Sequence, residues 1–401
     1  MTTLPLSGIR VLDLTNVIAG PLASYQLALM GAEVIKVEVP GIGDLARKMG
    51  ADLDAGRKQM GTSFIAFNAN KKSLALNLKS DRGKAVFRKL VTTADVVLEN
   101  FRPGAMDRLG LSAESLRALN PRLIYCAVSG FGRTGPLSQR ASYDQIIQGY
   151  CGLMSLTGEP DTAPGKAGLV VCDTTAAITA AFAIAAALVK RNATGEGDII
   201  DVSMLDAALG SMTSWVISNY LNAGHEPKPI GNHSQTAAPS GTFRTKDGPI
   251  NIVNNEQKQF AATCDALGLP ELKTDPRFRE TYDRMRNKTE LIAILEERLA
   301  TDTAEAWEAK LVAAGVPVGP VLTVPQIAHH PVMHDRGQLQ TVHLPALGRD
   351  VQLVGAGFQI NGQPAPLTSP PPTLGEHTDA VLAEAGYSAD EIAALRADGI
   401  V

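Results

Sequence analysis

Asp173 stands at the head of a long apolar stretch, in the run Val170-Val171-Cys172-Asp173-Thr174-Thr175. An aspartate in front of Thr-Thr and an apolar helix makes a good amino-terminal cap, because its carboxylate accepts backbone N–H groups that the first turn leaves unpaired. The same setting, a helix dipole and amide donors in apolar surroundings, holds a carboxylate ionised where it can act as a covalent nucleophile. Both readings stand at this point, and one residue can serve both. The run Asn100-Phe101-Arg102-Pro103-Gly104, continued to Arg108, lies just past a predicted strand, where open α/β sheets bind their ligands. There Arg102 and Arg108 can pair with phosphates and Phe101 can pack on a base; the alternative is a loop with two solvated arginines. Lys71, Lys72 and Lys79 add positive charge nearby in sequence, most simply as a solvated basic face.

Other patterns carry less chemistry. Gly130-Phe-Gly-Arg-Thr-Gly has the spacing of a dinucleotide-binding loop and follows a strand, but Pro136 comes directly after it and no second strand ends in an acidic residue at the right distance. It is expected to be a glycine-rich turn. His329, His330, His334 and Asp335 resemble a metal cluster until Pro331 is noticed, which breaks any helix that would align them. Cys172 is expected to be a buried, inert thiol, and no Gly-x-Ser-x-Gly elbow is present.

The elements that must position these residues follow from pattern. The strand opening Gly8-Ile-Arg-Val-Leu-Asp-Leu, a helix over 21–30 ended by Gly31, and the strand Glu33-Val-Ile-Lys-Val-Glu make a β-α-β unit. Strands at 94–100 and 122–129, each after an amphipathic stretch, extend it to an α/β half with a parallel sheet. Residues 173–189 are apolar all round and predict an enclosed helix. The longest apolar stretch, 178–189, is short for a bilayer and points to a core helix. A strand at 199–202 and a helix over 204–220 follow. The expected organisation is a large Rossmann-like domain over 1–222 completed by 340–401, a linker at 223–240, a smaller α+β domain at 241–325 and a second linker at 326–339.

Composition limits the function. The 401 residues are 45% apolar and 19% charged, a globular balance. With 37 Lys and Arg against 41 Asp and Glu, the net charge of -4 gives no overall attraction to nucleic acid or anionic membrane. The four cysteines, Cys126, Cys151, Cys172 and Cys264, form no C-x-x-C pair, so neither a zinc site nor a disulfide framework is expected. Without a basic, apolar leader at the amino end, the expected location is the cytoplasm.

Beyond these readings, the chain resembles the class III, formyl-CoA transferase-like, CoA-transferase family, which also contains α-methylacyl-CoA racemases. The motifs that carry the resemblance are Gly8-Ile-Arg-Val-Leu-Asp-Leu, Ala19-Gly-Pro, Gly31-Ala-Glu-Val-Ile-Lys-Val-Glu, Glu99-Asn-Phe-Arg-Pro-Gly, Ser129-Gly-Phe-Gly, Asp201-Val-Ser-Met-Leu-Asp-Ala and Gly375-Glu-His-Thr. The resemblance implies a Rossmann-like large domain, a smaller second domain and two subunits interlocked as a homodimer. It implies that Asp173 is the nucleophile of an acyl-CoA:carboxylate CoA-transferase working through aspartyl anhydride and aspartyl-CoA thioester intermediates, with coenzyme A or acyl-CoA as substrate and no metal or permanently bound cofactor. It places CoA at Ile18 and Ala19, at Leu76, Asn77, Leu78 and Lys79, and at Asn100, Phe101, Arg102 and Arg108, with Tyr143 and Asp144 near the thioester.

Departures from the family pattern narrow the expectation. The racemase branch has a histidine where this chain has Tyr143, and a phenol with an ordinary pKa near 10 is a poor substitute for a histidine base. That favours transfer over racemisation. Formyl-CoA:oxalate enzymes carry glutamine at the position of Ile18, a basic residue at that of Val39 and a glycine-rich flap at that of Asn254-Asn-Glu-Gln257. The expected substrates are therefore another small acid, a dicarboxylate above all, exchanged with succinyl-CoA or acetyl-CoA. The alternatives are a racemase or isomerase of the same family, a formyl-CoA:oxalate transferase, and a non-enzymatic CoA-binding protein in which Asp173 is only a cap.

Overall fold

The computed structural model of the chain describes residues 4–401. Contacts divide it into two units. The first comprises residues up to Leu153, Lys166–His225 and Pro331–Val401; the second comprises Met154–Gly165 and Glu226–His330. The short segment 154–165 thus belongs with the second unit, not with a continuous 1–222. Most of the two stretches expected as linkers is likewise absorbed: 226–240 and 326–330 fold into the second unit and 331–339 into the first.

The first unit is built on six strands: β1 (Arg10–Asp13), β2 (Glu33–Glu38), β3 (Lys71–Ala75), β4 (Val96–Glu99), β5 (Ile124–Ser129) and β6 (Ile199–Ser203). All pair in parallel, in the order β3-β2-β1-β4-β5-β6. Chain direction across the sheet reverses between β1 and β4, the switch point at which loops from neighbouring strands diverge and leave a crevice. Both faces are covered, as a parallel sheet requires. Alternation along each strand sends Val11, Val34, Val96 and Ile124 into one core and Leu12, Ile35, Val97 and Tyr125 into the other. Helices α1 (Ala19–Leu29) and, further on, the long helix Val171–Thr194 fill the first face. The amphipathic helix α2 (Asp81–Val91) and the terminal helices Thr378–Glu384 and Ala389–Ala397 supply Val86, Phe87, Leu90, Val381, Leu382 and Leu395 to the second.

Strand β3 corrects the expectation of a solvated basic face at Lys71 and Lys72. Lys71 is buried, and its ammonium donates to Asp13 Oδ2 (3.2 Å), Ser24 Oγ (2.8 Å), Asn68 Oδ1 (2.9 Å) and the Pro21 carbonyl (2.9 Å). Lys72 pairs with Glu33. Burial opposes the charged form of Asp13, but Lys36, Lys71, Ser24 and Thr15 outweigh it and hold the carboxyl down at about 2. In the same way Lys36 meets Asp44 (2.9 Å) and Glu38 meets Arg47 (2.7 Å), all four side chains essentially inaccessible. Buried charges survive only when paired, and the bonds from Lys71 to Asp13, from Lys36 to the Thr15 carbonyl and from Ser73 to Glu38 tie β1, β2 and β3 together.

Helix Val171–Thr194 also departs from expectation. It runs for 24 residues, longer than the apolar stretch 178–189, and by length and composition alone could cross a membrane. Nor is it enclosed all round. Cys172, Ala176, Ala177, Ala180, Ile184 and Leu188 are buried, while Ile178, Phe182 and Val189 are exposed.

The second unit contains an antiparallel sheet of β7 (Ser240–Arg244), β8 (Pro249–Val253) and β9 (Val318–Pro320). Phe243, Ile250 and Ile252 from its inner face pack with Phe260, Leu295, Trp307 and Leu311 from the helices Gln257–Leu267, Lys288–Leu299 and Ala304–Ala313.

Removing one partner of a buried pair strands the other charge. Lys71→Met is therefore expected to cost roughly 3–5 kcal/mol in urea unfolding. Asp13→Asn in the same chain should return part of that loss.

Candidate functional site

A cleft of ≈ 360 Å³ opens at the switch point of the first unit. Its walls come from the loop after β1 (Asn16, Val17, Ile18, Ala19), the loop after β4 (Asn100, Phe101, Arg102, Pro103), the end of β5 with Gly130, the segment Ser138 to Tyr143, and Asp173 and Met204. The β1 and β4 loops are tied together directly. Asn16 N donates to Asn100 Oδ1 and Asn100 Nδ2 donates to the Asn16 carbonyl, both at 2.8 Å. Glu99, buried just before this loop, accepts from Phe101 N (2.7 Å) and from the Tyr125 hydroxyl (3.1 Å), and burial pushes its carboxyl up to about 7.

Val17 takes φ 70°, a left-handed conformation that costs a β-branched residue about 1–2 kcal/mol. The turn it makes delivers the chain into α1, whose first turn carries no acidic residue and no side-chain cap. Gly20 in that turn lies so close to Thr15 that a Cβ would fall 2.2 Å from its methyl carbon, which accounts for glycine in Ala19-Gly20-Pro21.

Two further helices hold the nucleophile candidate: α3 (Asp144–Tyr150) and α4 (Val171–Thr194). Asp173 does not cap α4, contrary to the simpler sequence reading. It lies inside the first turn, and the capping carboxylate comes from outside. Buried Asp144, at the start of α3, accepts from Cys172 N (2.7 Å) and Asp173 N (3.2 Å) on Oδ1 and from Gln148 Nε2 (2.5 Å) on Oδ2. The Asp173 carboxylate accepts no hydrogen bond from any described residue. Burial first, and the charge of Asp144 second, push it up to about 7. It is a half-buried carboxylate at the edge of a cleft, deprived of the donors that would stabilise its charge. Beside it, burial drives the Cys172 thiol upward and keeps it unreactive.

Seven of the residues singled out from sequence meet at the cleft: Ile18, Ala19, Asn100, Phe101, Arg102, Tyr143 and Asp173. The others do not line it. Asp144 lies behind Asp173 as described. Leu76 is buried, Asn77 N binds the Ile400 carbonyl (2.8 Å), Leu78 packs beside the terminal helices and Lys79 follows them into solvent. Arg108 ends the short helix Ala105–Arg108. Gly130-Phe-Gly-Arg-Thr-Gly forms a turn, with φ 82° at Gly132 and 88° at Gly135, and Gly130 is part of the cleft wall. Among the described residues no cluster of three or more His, Cys, Asp or Glu could hold a metal ion.

Sequence reasoning missed Asn16, Val17, Arg140 and Asp44. Asn16 and Arg140 had no motif to mark them, and the left-handed turn at Val17 has no residue signature, since glycine or asparagine would be usual there. Asp44 follows Gly43 in an ordinary turn and shows its role only through Val17.

The sequence pattern of CoA-transferase family III matches residues 6–378. A succinyl-CoA:glutarate CoA-transferase from Mus musculus is 36% identical over 398 residues, covering 99% of this chain and 90% of its own length. An acetyl-CoA:oxalate CoA-transferase from Acetobacter aceti is 42% identical over 336 residues, covering 84% and 85%. Among solved structures, a CAIB/BAIF family protein from Brucella suis superposes with a TM-score of 0.84 at 36% identity, covering 96% of this chain and all of its own. With the match running through both units and through every wall of the cleft, the chain belongs to CoA-transferase family III.

Proposed function

We propose that the protein is an acyl-CoA:carboxylate CoA-transferase whose nucleophile is Asp173. The observation that carries this reading is the position of Asp173: in the wall of the switch-point cleft, half-buried, and relieved of helix capping by Asp144. One carboxylate oxygen of Asp173 attacks the thioester carbonyl, and CoA leaves as thiolate, giving a mixed anhydride. The thiolate attacks the aspartyl carbonyl, forming an aspartyl-CoA thioester and releasing the donor acid as its carboxylate. The acceptor carboxylate then attacks that thioester and expels CoA thiolate, which takes the new acyl group and restores Asp173. No net proton is consumed, which suits a site without a histidine. Arg102 and Phe101 sit where they can meet phosphate and adenine, and the uncapped opening turn of α1 offers amide donors to negative charge. Substrates favoured by the resemblance and by the names of the relatives are small dicarboxylates with succinyl-CoA or acetyl-CoA as donor.

The racemase alternative needs a second acid/base, and Tyr143 lies in the cleft wall where that group would be. Transfer is the better-supported reading.

The protein is also proposed to act as an interlocked homodimer. Ile178, Phe182 and Val189 recur on one exposed side of α4, and Trp215 and Leu221 are exposed on the helix Ser214–Ala223. Such apolar area on one chain is the usual mark of an interface. Sedimentation should give the mass of two chains, and Phe182→Lys should weaken or abolish that assembly.

Given succinyl-CoA or acetyl-CoA and a panel of mono- and dicarboxylic acids, wild type should form new acyl-CoA products detected by mass spectrometry. Asp173→Asn should lose at least 10³-fold in turnover while keeping its fold by circular dichroism and its affinity for CoA. Equal turnover by the variant would reject the nucleophile, and α-deuterium uptake without transfer would favour the racemase. Because a raised carboxyl is protonated below its pKa, kcat/KM should fall about tenfold per unit as pH drops below about 7. Asp144→Asn removes the like charge and should move that acid limb to lower pH.

A further inference from the structure

Val17 is the sole β-branched residue among the four non-glycine positions with positive φ in the described chain, and it lies in the cleft wall. A valine stays in this conformation only where its surroundings over-determine it. The surroundings here converge on one atom. Asp44 Oδ1 accepts the Val17 amide at 2.9 Å and also the Ala46 amide at 2.9 Å. The second bond caps the short 3-10 turn Leu45–Lys48, and Leu45 is itself a cleft residue. A single carboxylate oxygen therefore fixes two separate parts of the cleft wall. Asp44 is in turn immobilised: its own amide donates to Glu38 Oε1 (3.0 Å), and its other oxygen pairs with Lys36 Nζ at 2.9 Å. Lys36 closes the circuit by donating to the Thr15 carbonyl at 2.7 Å, two residues before Val17. Asp44 and Lys36 are both fully buried, so neither can touch a substrate directly.

We propose that Asp44, braced by Lys36, is a positioning residue for CoA binding: it holds the strained Val17 peptide and Leu45 in the arrangement that shapes the cleft. This rests on the transferase reading above, and deepens it. The cost of the left-handed valine is met by the Asp44 bond, so an enzyme lacking that bond relaxes at Val17 and loses the aligned Asn16–Ala19 wall. Glycine at position 17 adopts φ 70° freely and removes the need for the restraint.

That coupling gives the test. Dissociation constants for CoA itself are measured by isothermal titration calorimetry on the full chain, together with KM and kcat for acyl-CoA transfer. Asp44→Ala is expected to raise Kd and KM at least tenfold with a smaller change in kcat. Adding Val17→Gly to that variant is expected to recover most of the affinity lost. A merely structural Asp44 would lower the folded fraction, so kcat per total enzyme and the thermal midpoint would fall while Kd and KM stayed at wild-type values. That outcome, or a double variant no better than Asp44→Ala, overturns the inference. Should Asp44→Ala not fold, Asp44→Asn keeps an acceptor for both amides but loses the ion pair. It should still raise Kd severalfold, and an unchanged Kd overturns the inference equally. Wild type that binds no CoA would instead overturn the functional reading on which this one rests.

Discussion

The site depends on a helix terminus being capped from outside. The first turn of α4 has amide donors that need acceptors, and an aspartate of its own in that turn. If Asp173 folded back onto those amides it would be stabilised as an anion and turned away from the cleft. Asp144 takes the Cys172 and Asp173 amides instead, and Gln148 occupies its second oxygen. Asp173 is left with burial and a like charge, both of which disfavour its ionised form. The consequence reaches beyond proton affinity. An environment that raises the cost of the carboxylate favours any neutral derivative of it, and the anhydride and thioester of the proposed cycle are both neutral at that carbonyl. The same desolvation that moves the titration toward 7 thus lowers the climb to each covalent intermediate.

An external cap works only if the elements carrying it are fixed, and the first unit achieves this with a parallel sheet whose carboxyl ends are charged yet buried. β1 ends at Asp13, β2 ends at Glu38 with Lys36 two residues before, and Lys71 opens β3; Asp13 meets Lys71 across the sheet, while Lys36 and Glu38 hold Asp44 and Arg47 of the segment that follows β2. An apolar core would fill the same volume and cost less desolvation. It would not dictate where the β1 loop goes. Directional bonds do: Asn100 locks onto Asn16 from one side and Asp44 locks onto Val17 from the other, so the two loops at the switch point have one mutual arrangement.

How far this was legible in sequence follows from what kind of interaction carries each part. Strands β1, β2, β4 and β5 announce themselves by β-branched runs between turn residues, because burial on both faces demands it, and the edge strand β6 carries the same kind of run although its first half is exposed. β3 does not: Lys71-Lys-Ser-Leu-Ala begins with two charges, and only the acids facing them from β1 and β2 make it a strand. Asp173, Asn100 and Arg102 were visible as residue types in telling places, next to an apolar helix or past a strand. Asp144 was visible only as a neighbour of Tyr143, and its role as the cap of a helix 28 residues on is tertiary. The glycine-rich run at 130–135 had the right letters for a dinucleotide loop, and Pro136 directly after it, with no second strand ending in an acidic residue at the right distance, decided against it. Asp44 and Val17 lie beyond any local pattern, since a strained valine is the opposite of what a turn position selects.

α4 shows why an all-round apolar helix is ambiguous until its neighbours are known. Length and composition would let it cross a bilayer, yet a lipid-facing helix needs an apolar circumference with nothing charged fixed along it. Here one side is committed to α1 and the sheet through Ala176, Ala180 and Ile184, and Arg191 near its end is buried in an ion pair with Asp95 at 2.8 Å. Extracting it into lipid would undo the core and strand that arginine. Only the side bearing Ile178, Phe182 and Val189 remains open, a strip rather than a cylinder. A strip asks for an apolar partner on one side, and a second copy brings the same strip, so the proposed dimer buries both at once. The helix whose first turn holds the proposed nucleophile would then be braced on both sides, by its own core and by its partner.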